Sequence, residues 1–349
     1  MFADAPRLLV IRRRYLGDIV LLGSVFRNLR LRWPQARITA LVEAPYAGVL
    51  ALNPEVDATL AIPRTPRDWW RLVRAIRAGK FTHAFDFDNT DRTALIARLT
   101  GARVRATFDR ELIPFKHRWA YTHVARVTNA DYDRQHITET YLRLLPAAGV
   151  PVATREIRLQ PRADDLRWVA GILQSKVENR KLNMLVHPGS RSPFRQWPTD
   201  RFARVIDRVQ HELGTPVALV AGPGEQAVVA DIARQCATAP AVIDAVLTIP
   251  QLAALMSLFP VMLCHDSGPM HLAAAVGTRI VALYGSQNAT IWRPLGDGHT
   301  VLQTPLPCSC LPDPPAPCVK GDAYRSYCVR KLTEDEVFAA VTAALRRTP

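Results

Sequence analysis

Four short turns carry the residues whose types and spacing suit chemistry. The first is Asp266-Ser267-Gly268-Pro269, inside VMLCHDSGPMHLAAAVG from Val261 to Gly277. An apolar run enters it and an alanine-rich run leaves it. It therefore reads as a strand, a tight turn and a helix start, with Pro269 in the first helical turn and Gly277 at the helix end. Such a turn aims unpaired backbone N–H groups at an incoming anion, and phosphate is the natural guest. The Asp266 carboxylate would repel a phosphate and suits the hydroxyls of a sugar beside it. The competing reading is that Asp266 or Ser267 only caps the helix.

The second turn is HPGSRSPFRQWP, His187 to Pro198. Gly189, Ser190, Arg191 and Arg195 bring glycine, hydroxyl and guanidinium groups to a strand end, a set that binds phosphate, or else forms a solvated surface loop. The third is AGPGE, Ala221 to Glu225. It lacks the glycine spacing of a dinucleotide fingerprint, but a carboxylate there can hold a ribose diol, or simply serve as an acid at a helix N-terminus. The fourth is RRRYLGDIVL, Arg12 to Leu21. Asp18 stands at a strand–helix junction among arginines that would keep it ionised, either as an N-cap or as a general base aimed across a cleft at a substrate on the other domain.

These turns need elements to hold them. RLLVIRR (Arg7–Arg13), RITALV, ATLAI, THAFDF and RVRATF read as strands, with helices over Leu16–Trp33, Tyr46–Leu52, Asp68–Gly79 and Thr90–Thr100 between them. An irregular stretch follows, then a helix from about Ile137 to Ala148. The alternation restarts with LNMLVHPG, a helix at Thr199–Leu213 capped by Thr199 or Asp200, PVALVAGPGE, a helix at Gln226–Cys236, the short strand AVIDA, a short helix at Ile249–Leu258, VMLCHDSG, a helix at Pro269–Val276 and RIVALYG. Thr333 to Arg346 closes the chain as a helix with TEDE as its capping box. Repeated βα alternation predicts parallel sheets covered on both faces. The expected organisation is an acceptor-binding domain at 1–155, a connection at 156–181 that carries one helix, Asp164–Val177, a nucleotide-sugar-binding domain at 182–332 and a C-terminal helix at 333–349.

The chain has 349 residues, more than one core usually serves, with 48% hydrophobic and 22% charged residues, as in ordinary soluble proteins. No apolar run approaches the roughly 18 residues that span a bilayer, and the basic N-terminus does not read as a signal peptide. A cytoplasmic location is the expectation. The net charge is +14, and residues 1–150 hold 24 basic against 14 acidic side chains. That excess suits an anionic partner such as nucleic acid, a phosphorylated substrate or an acidic membrane, or it is a solubilising surface.

Taken together, the four turns resemble glycosyltransferase family 9, the ADP-heptose:lipopolysaccharide heptosyltransferases. The resemblance rests on Arg12 shortly before Gly17-Asp18, on HPGSRSPFRQWP and AGPGE, and above all on DSGPMHLAAAVGTRIVALYG followed by WRPLG. It implies a GT-B fold, two Rossmann-like domains facing each other across a cleft. It also implies an inverting transfer of heptose from ADP-L-glycero-D-manno-heptose, with no cofactor and no metal. Asp18 would be the base, with Arg12, Arg13 and Arg14 on the acceptor side. Ser190, Arg191 and Arg195 would bind the leaving diphosphate, Glu225 the ribose and Asp266 the donor sugar. Ser267 and Gly268 would give N–H groups to phosphate, and His271 would assist or only pack. The implied acceptor is a phosphorylated, Kdo- and heptose-bearing lipid A core at the inner leaflet, so peripheral membrane association is expected, with no nucleic acid and a monomeric chain. Arg195 stands where the family has lysine, and Arg279 where proline is common.

Within enzymes, the rivals are a GT-B sugar-nucleotide epimerase and a family member with another donor sugar or a non-lipopolysaccharide acceptor. Outside enzymes, the rival is a basic nucleic-acid-binding protein, against which the strand-end acids speak. Cys236 and Cys264 read as small core residues. Cys308, Cys310, Cys318 and Cys328 do not match paired-CxxC zinc spacing, and a cytosolic disulfide is not expected. Elemental analysis of the purified chain is therefore expected to return no stoichiometric metal; one bound ion per chain would make this cluster a metal site.

Overall fold

Strands that are apolar on both faces are stable only when helices cover both, and each half of the chain supplies such strands and helices in alternation. A computed structural model of the chain describes residues 5–176, 182–191, 195–305 and 328–347. It divides into two units, Met1–Gln160 and Pro161–Pro349.

In the first unit six parallel strands, β1 (Arg7–Ile11), β2 (Arg37–Glu43), β3 (Ala58–Ile62), β4 (His83–Asp86), β5 (Val104–Arg110) and β6 (His123–Val127), lie in the order β3-β2-β1-β4-β5-β6. In the second unit β7 (Met184–His187), β8 (Val217–Val220), β9 (Ala241–Ile243), β10 (Val261–His265), β11 (Arg279–Leu283) and β12 (Thr300–Leu302) lie in the order β12-β11-β10-β7-β8-β9. Numbered from its own first strand, each sheet has the doubly wound order 3-2-1-4-5-6. In that order the chain leaves the first and fourth strands toward opposite faces, opening a crevice at their carboxyl ends. Ile11 pairs with Asp86 in one sheet and Cys264 with His187 in the other. All four turns singled out above leave strands at the carboxyl edge of their sheet.

Several expectations are revised. β1 ends at Ile11, because Arg12 and Arg13 turn to carboxylates outside the ladder. The helix expected over Leu16–Trp33 is two, Leu16–Leu21 and Gly23–Arg32, and the one over Ile137–Ala148 is interrupted at Arg143. The cap before Thr199 is Pro198, while the Thr199 hydroxyl donates to Asp231 at 2.6 Å. The irregular stretch contains β6 and a helix, Asn129–Arg134, and the second sheet ends in the three-residue β12. Both missed strands are sheet edges, with one side less buried and the apolar pattern correspondingly weak.

The helix Ala163–Lys176, expected inside the connection, packs on the helix Ile249–Ser257 of the second unit. The C-terminal helix Glu334–Arg346 starts at the Thr333–Glu336 capping box and buries Val337, Val341 and Ala344 in the same core as Met184, Val186 and Leu263. Cys264 is buried and Cys236 partly so. Cys308, Cys310 and Cys318 lie outside the described residues. Among the described residues, no helix is long and apolar enough to cross a membrane.

One buried side chain ties the segment after Val150 back onto the first unit. Asn28 Nδ2 donates to Ser24 O (2.8 Å) and Thr154 O (2.7 Å), and its Oδ1 accepts from the backbone N–H groups of Ala153 (2.6 Å) and Thr154 (3.1 Å). Asn28→Ala removes all four bonds, and the first unit should lose about 1 to 3 kcal/mol in urea denaturation. A loss under about 0.5 kcal/mol would mean that water replaces the amide.

Candidate functional site

In the first unit the crevice between β1 and β4 is lined by carboxylates around one guanidinium. Asp18 sits in the first turn of helix Leu16–Leu21, where its Oδ2 reaches back to the N–H of Tyr15 (3.2 Å). It is thus the reach-back acid of the helix start and not its N-cap. Its Oδ1 accepts from Arg12 Nη2 and from the Tyr141 hydroxyl, both at 2.5 Å. Arg12 also donates to Phe87 O (2.7 Å) and lies 3.3 Å from Asp88 Oδ1. Asp88 Oδ2 accepts from the N–H of Arg13 (2.6 Å). Burial would push the Arg12 guanidinium down, but the oxygens of Tyr141, Asp18 and Asp88 around it together outweigh that and the net shift is up. Burial likewise keeps the Tyr141 phenol protonated and a donor. Asp88 is pushed up to about 6, chiefly by burial and partly by Asp86, with Arg12 opposing. Asp86 is fully buried and accepts from Tyr121 Oη at 2.6 Å.

The three arginines read as acceptor contacts therefore differ. Arg12 is bound inward to Asp18 and Asp88, and Arg13 pairs with Glu43 at 3.1 Å. Arg14 is exposed, with its guanidinium over the Tyr15 ring.

In the second unit the crevice lies between β7 and β10. Ser267 occupies the N-cap of helix Gly268–Ala275, yet its side chain makes no capping bond, and its buried Oγ has no hydrogen-bond partner among the described residues. The capping reading of this turn is not realised. Asp266 instead faces Arg195, with Nη1 3.3 Å from Oδ2. Gln287 turns its side-chain amide toward the same guanidinium, and with its oxygen leading it accepts there. Burial pushes Asp266 up to about 6, with Arg195 and Arg191 opposing. Ser190 is buried, and its backbone oxygen accepts from Gln196 Nε2 at 3.0 Å. His271 is buried within the helix.

Glu225 folds back on its own turn. Its Oε2 accepts from the N–H of Gly222 (2.8 Å) and lies 3.5 Å from Nε2 of His187, a buried ring whose pKa burial pushes down. A Cβ on Gly189 would stand 1.8 Å from this oxygen, so any side chain there would push the Glu225 carboxylate off its present position. Gly277 likewise ends its helix at φ +97°, a conformation that glycine alone adopts easily.

Four contributors carry no obvious sequence signal or were overlooked. Tyr141 lies on an apolar helix face, 123 positions after Asp18. His265 fixes the arginine-bearing loop by accepting the N–H of Trp197 at 2.8 Å, its ring held neutral by burial, which pushes it down to about 3. Gln287 follows a strand end with no motif of its own. Asp88 did carry a signal, an acid just past an apolar strand, as Asp18 and Asp266 do.

The sequence model of glycosyltransferase family 9 (heptosyltransferase) matches residues 69–320. A lipopolysaccharide heptosyltransferase 3 of Escherichia coli is 28% identical over 303 residues, covering 80% of this chain and 84% of its own. Among solved structures, a family 9 glycosyl transferase from Veillonella parvula superposes with a TM-score of 0.85 at 24% identity, over 100% of this chain and 99% of the other. The E. coli ADP-heptose lps heptosyltransferase II does so at 0.78 and 21%, over 98% and 99%. These likenesses place the chain in the GT-B fold class.

The buried carboxylate in the second unit has a measurable consequence. Because folding raises the pKa of Asp266 to about 6, the folded chain binds that proton more tightly than the unfolded chain. Its stability contribution is full below about pH 4 and is lost as pH rises through 6. Asp266→Asn, a neutral isostere, should therefore melt a few degrees above wild type at pH 7.5, a gain on the order of 2 kcal/mol that closes by pH 4. Equal melting at both pH values would show that Arg195 compensates the charge fully.

Proposed function

The chain belongs to glycosyltransferase family 9 (heptosyltransferase), and from that premise we propose that it moves a heptose from ADP-L-glycero-D-manno-heptose to the inner core of lipopolysaccharide. The observation that supports this most is the anchoring of Asp18. Two donors, Arg12 and Tyr141, hold one carboxylate oxygen, while the other accepts a single backbone N–H. A carboxylate held in one rotamer with an oxygen to spare suits a general base.

In this reading the acceptor hydroxyl gives its proton to Asp18 as its oxygen forms a bond to the anomeric carbon. The bond from that carbon to the diphosphate breaks on the opposite face, so the configuration inverts and ADP departs with the electron pair. Charge gathering on the diphosphate is met by Arg191 and Arg195, by the hydroxyls of Ser190 and Ser267 and by the N–H of Gly268. These groups do the neutralising that a metal ion does in other transferases, so no metal is invoked. The Ser267 hydroxyl supports this assignment, since a buried O–H with no acceptor among the described residues is suited to a ligand oxygen. Asp266 takes donor-sugar hydroxyls, with Arg195 and Gln287 fixing its orientation. Glu225 takes the ribose, exchanging its bond to Gly222. Arg195 in place of lysine offers two parallel donors where an ammonium offers a point charge. His271 packs. Arg14 is the arginine best placed to meet the acidic acceptor, whose lipid anchor puts the work at a membrane surface.

The test is turnover with ADP-heptose and a heptose-deficient core acceptor. Asp18→Ala should lower kcat by about 10²- to 10⁴-fold with little change in the KM for donor. Tyr141→Phe should fold normally and lose about ten- to a hundredfold, the worth of one hydrogen bond to a charged group. Wild-type turnover in Asp18→Ala would sink the base assignment.

A further inference from the structure

The first unit presents a face whose composition the chemistry at the strand ends does not use. Helices Trp69–Ala78 and Asp91–Leu99 lie side by side over one side of its sheet, and the short turn Arg118–Ala120 adjoins the second. All three bury their apolar residues in one core, among them Leu72, Ile76, Ala94, Ile96 and Ala120. Their outward sides show a repeated pattern. Trp70, Arg74 and Arg77 stand at positions i, i+4 and i+7 of one helix, and Arg92, Leu95 and Arg98 form the outer stripe of the next.

Two of the large side chains are unusually bare. Trp70 and Trp119 are each 58% exposed, and Leu95 is 48% exposed. Arg67, Arg74, Arg77, Arg92 and Arg98 make no ion pair among the described residues. The acids nearby are already engaged, Asp68 with Arg71 at 3.0 Å and Asp91 with His117 at 2.9 Å. Trp70, Arg71, Arg74, Ala75 and Ala78 also line a shallow groove of about 380 Å³.

We propose that this helix face is a docking surface for an anionic phospholipid bilayer, with Trp70, Leu95 and Trp119 entering the interface and the surrounding arginines meeting headgroup phosphates. Helices lying in a plane, with aromatic and leucine side chains between unpaired cations, match the layered chemistry of a bilayer surface, where indole rings settle at headgroup level. A nucleic acid strand uses successive aromatic platforms along a groove, and Leu95 at the centre of this face offers no ring to stack on. The proposal rests on the reading above that the acceptor is lipid-anchored, and it adds the surface by which the chain would reach it.

The experiment uses the full chain and large unilamellar vesicles of phosphatidylcholine alone or mixed with phosphatidylglycerol, read by co-sedimentation and tryptophan emission. The wild type should bind the anionic vesicles, with a blue-shifted emission and an affinity that falls as salt rises, and should ignore the neutral ones. The combined variant Arg74→Gln, Arg77→Gln, Arg98→Gln should lose on the order of a hundredfold in partition coefficient, and Trp70→Ala with Trp119→Ala should abolish the blue shift. Circular dichroism checks that each variant is folded.

Undiminished binding by the folded arginine variant overturns the proposal, as does a wild type that ignores anionic vesicles. A wild type retained by single-stranded RNA but not by vesicles overturns it in favour of nucleic acid. Turnover on a water-soluble, delipidated core acceptor separates the two readings. It should be equal in wild type and the arginine variant, and a wild type that binds vesicles but consumes no ADP-heptose would overturn the transferase reading alone.

Discussion

In a parallel sheet covered on both faces, a polar side chain has almost nowhere to go but the strand ends. β1, β7 and β10 are buried nearly throughout, and a charge placed mid-strand would have no water and no partner. The doubly wound order then selects among those ends. Only where neighbouring strands send the chain to opposite faces is the edge left open, and in both units the acids, hydroxyls and arginines collect there.

The two crevices solve the burial of charge differently. In the first, one guanidinium is shared between Asp18 and Asp88, and a phenol and two backbone N–H groups complete the network. Donors reach both oxygens of Asp18, so it is held in place without a ligand. In the second, Asp266 is nearly as deeply placed but meets Arg195 at a looser 3.3 Å, and the Ser267 hydroxyl has no partner among the described residues. A site that is electrostatically incomplete in this way is poised for a polar guest, and it is less stable empty than a neutralised variant would be.

The positions of the acids were legible from sequence because they follow a local rule: apolar strand, polar turn, glycine or proline, helix. That rule finds Asp18, Glu225 and Asp266, and it would have found Asp88. It also located ten of the twelve strands, failing at β6 and β12, where edge strands lack the continuous apolar run that marks a buried one. It was less able to tell a cap from a ligand. Asp18 and Glu225 do bind backbone at their helix starts, whereas Ser267, the best cap by composition, caps nothing.

The sequence by itself determined which residue types stand at which strand ends, since that depends on neighbours a few positions apart. It could not say which oxygen of Asp18 is occupied, that Arg12 and Arg13 turn inward, or that Tyr141 and His265 hold the two crevices in shape. Those outcomes depend on groups up to 123 positions apart meeting within 3 Å. The parallel winding of the sheets sets such distances, and a hydrogen bond exists only when they are met.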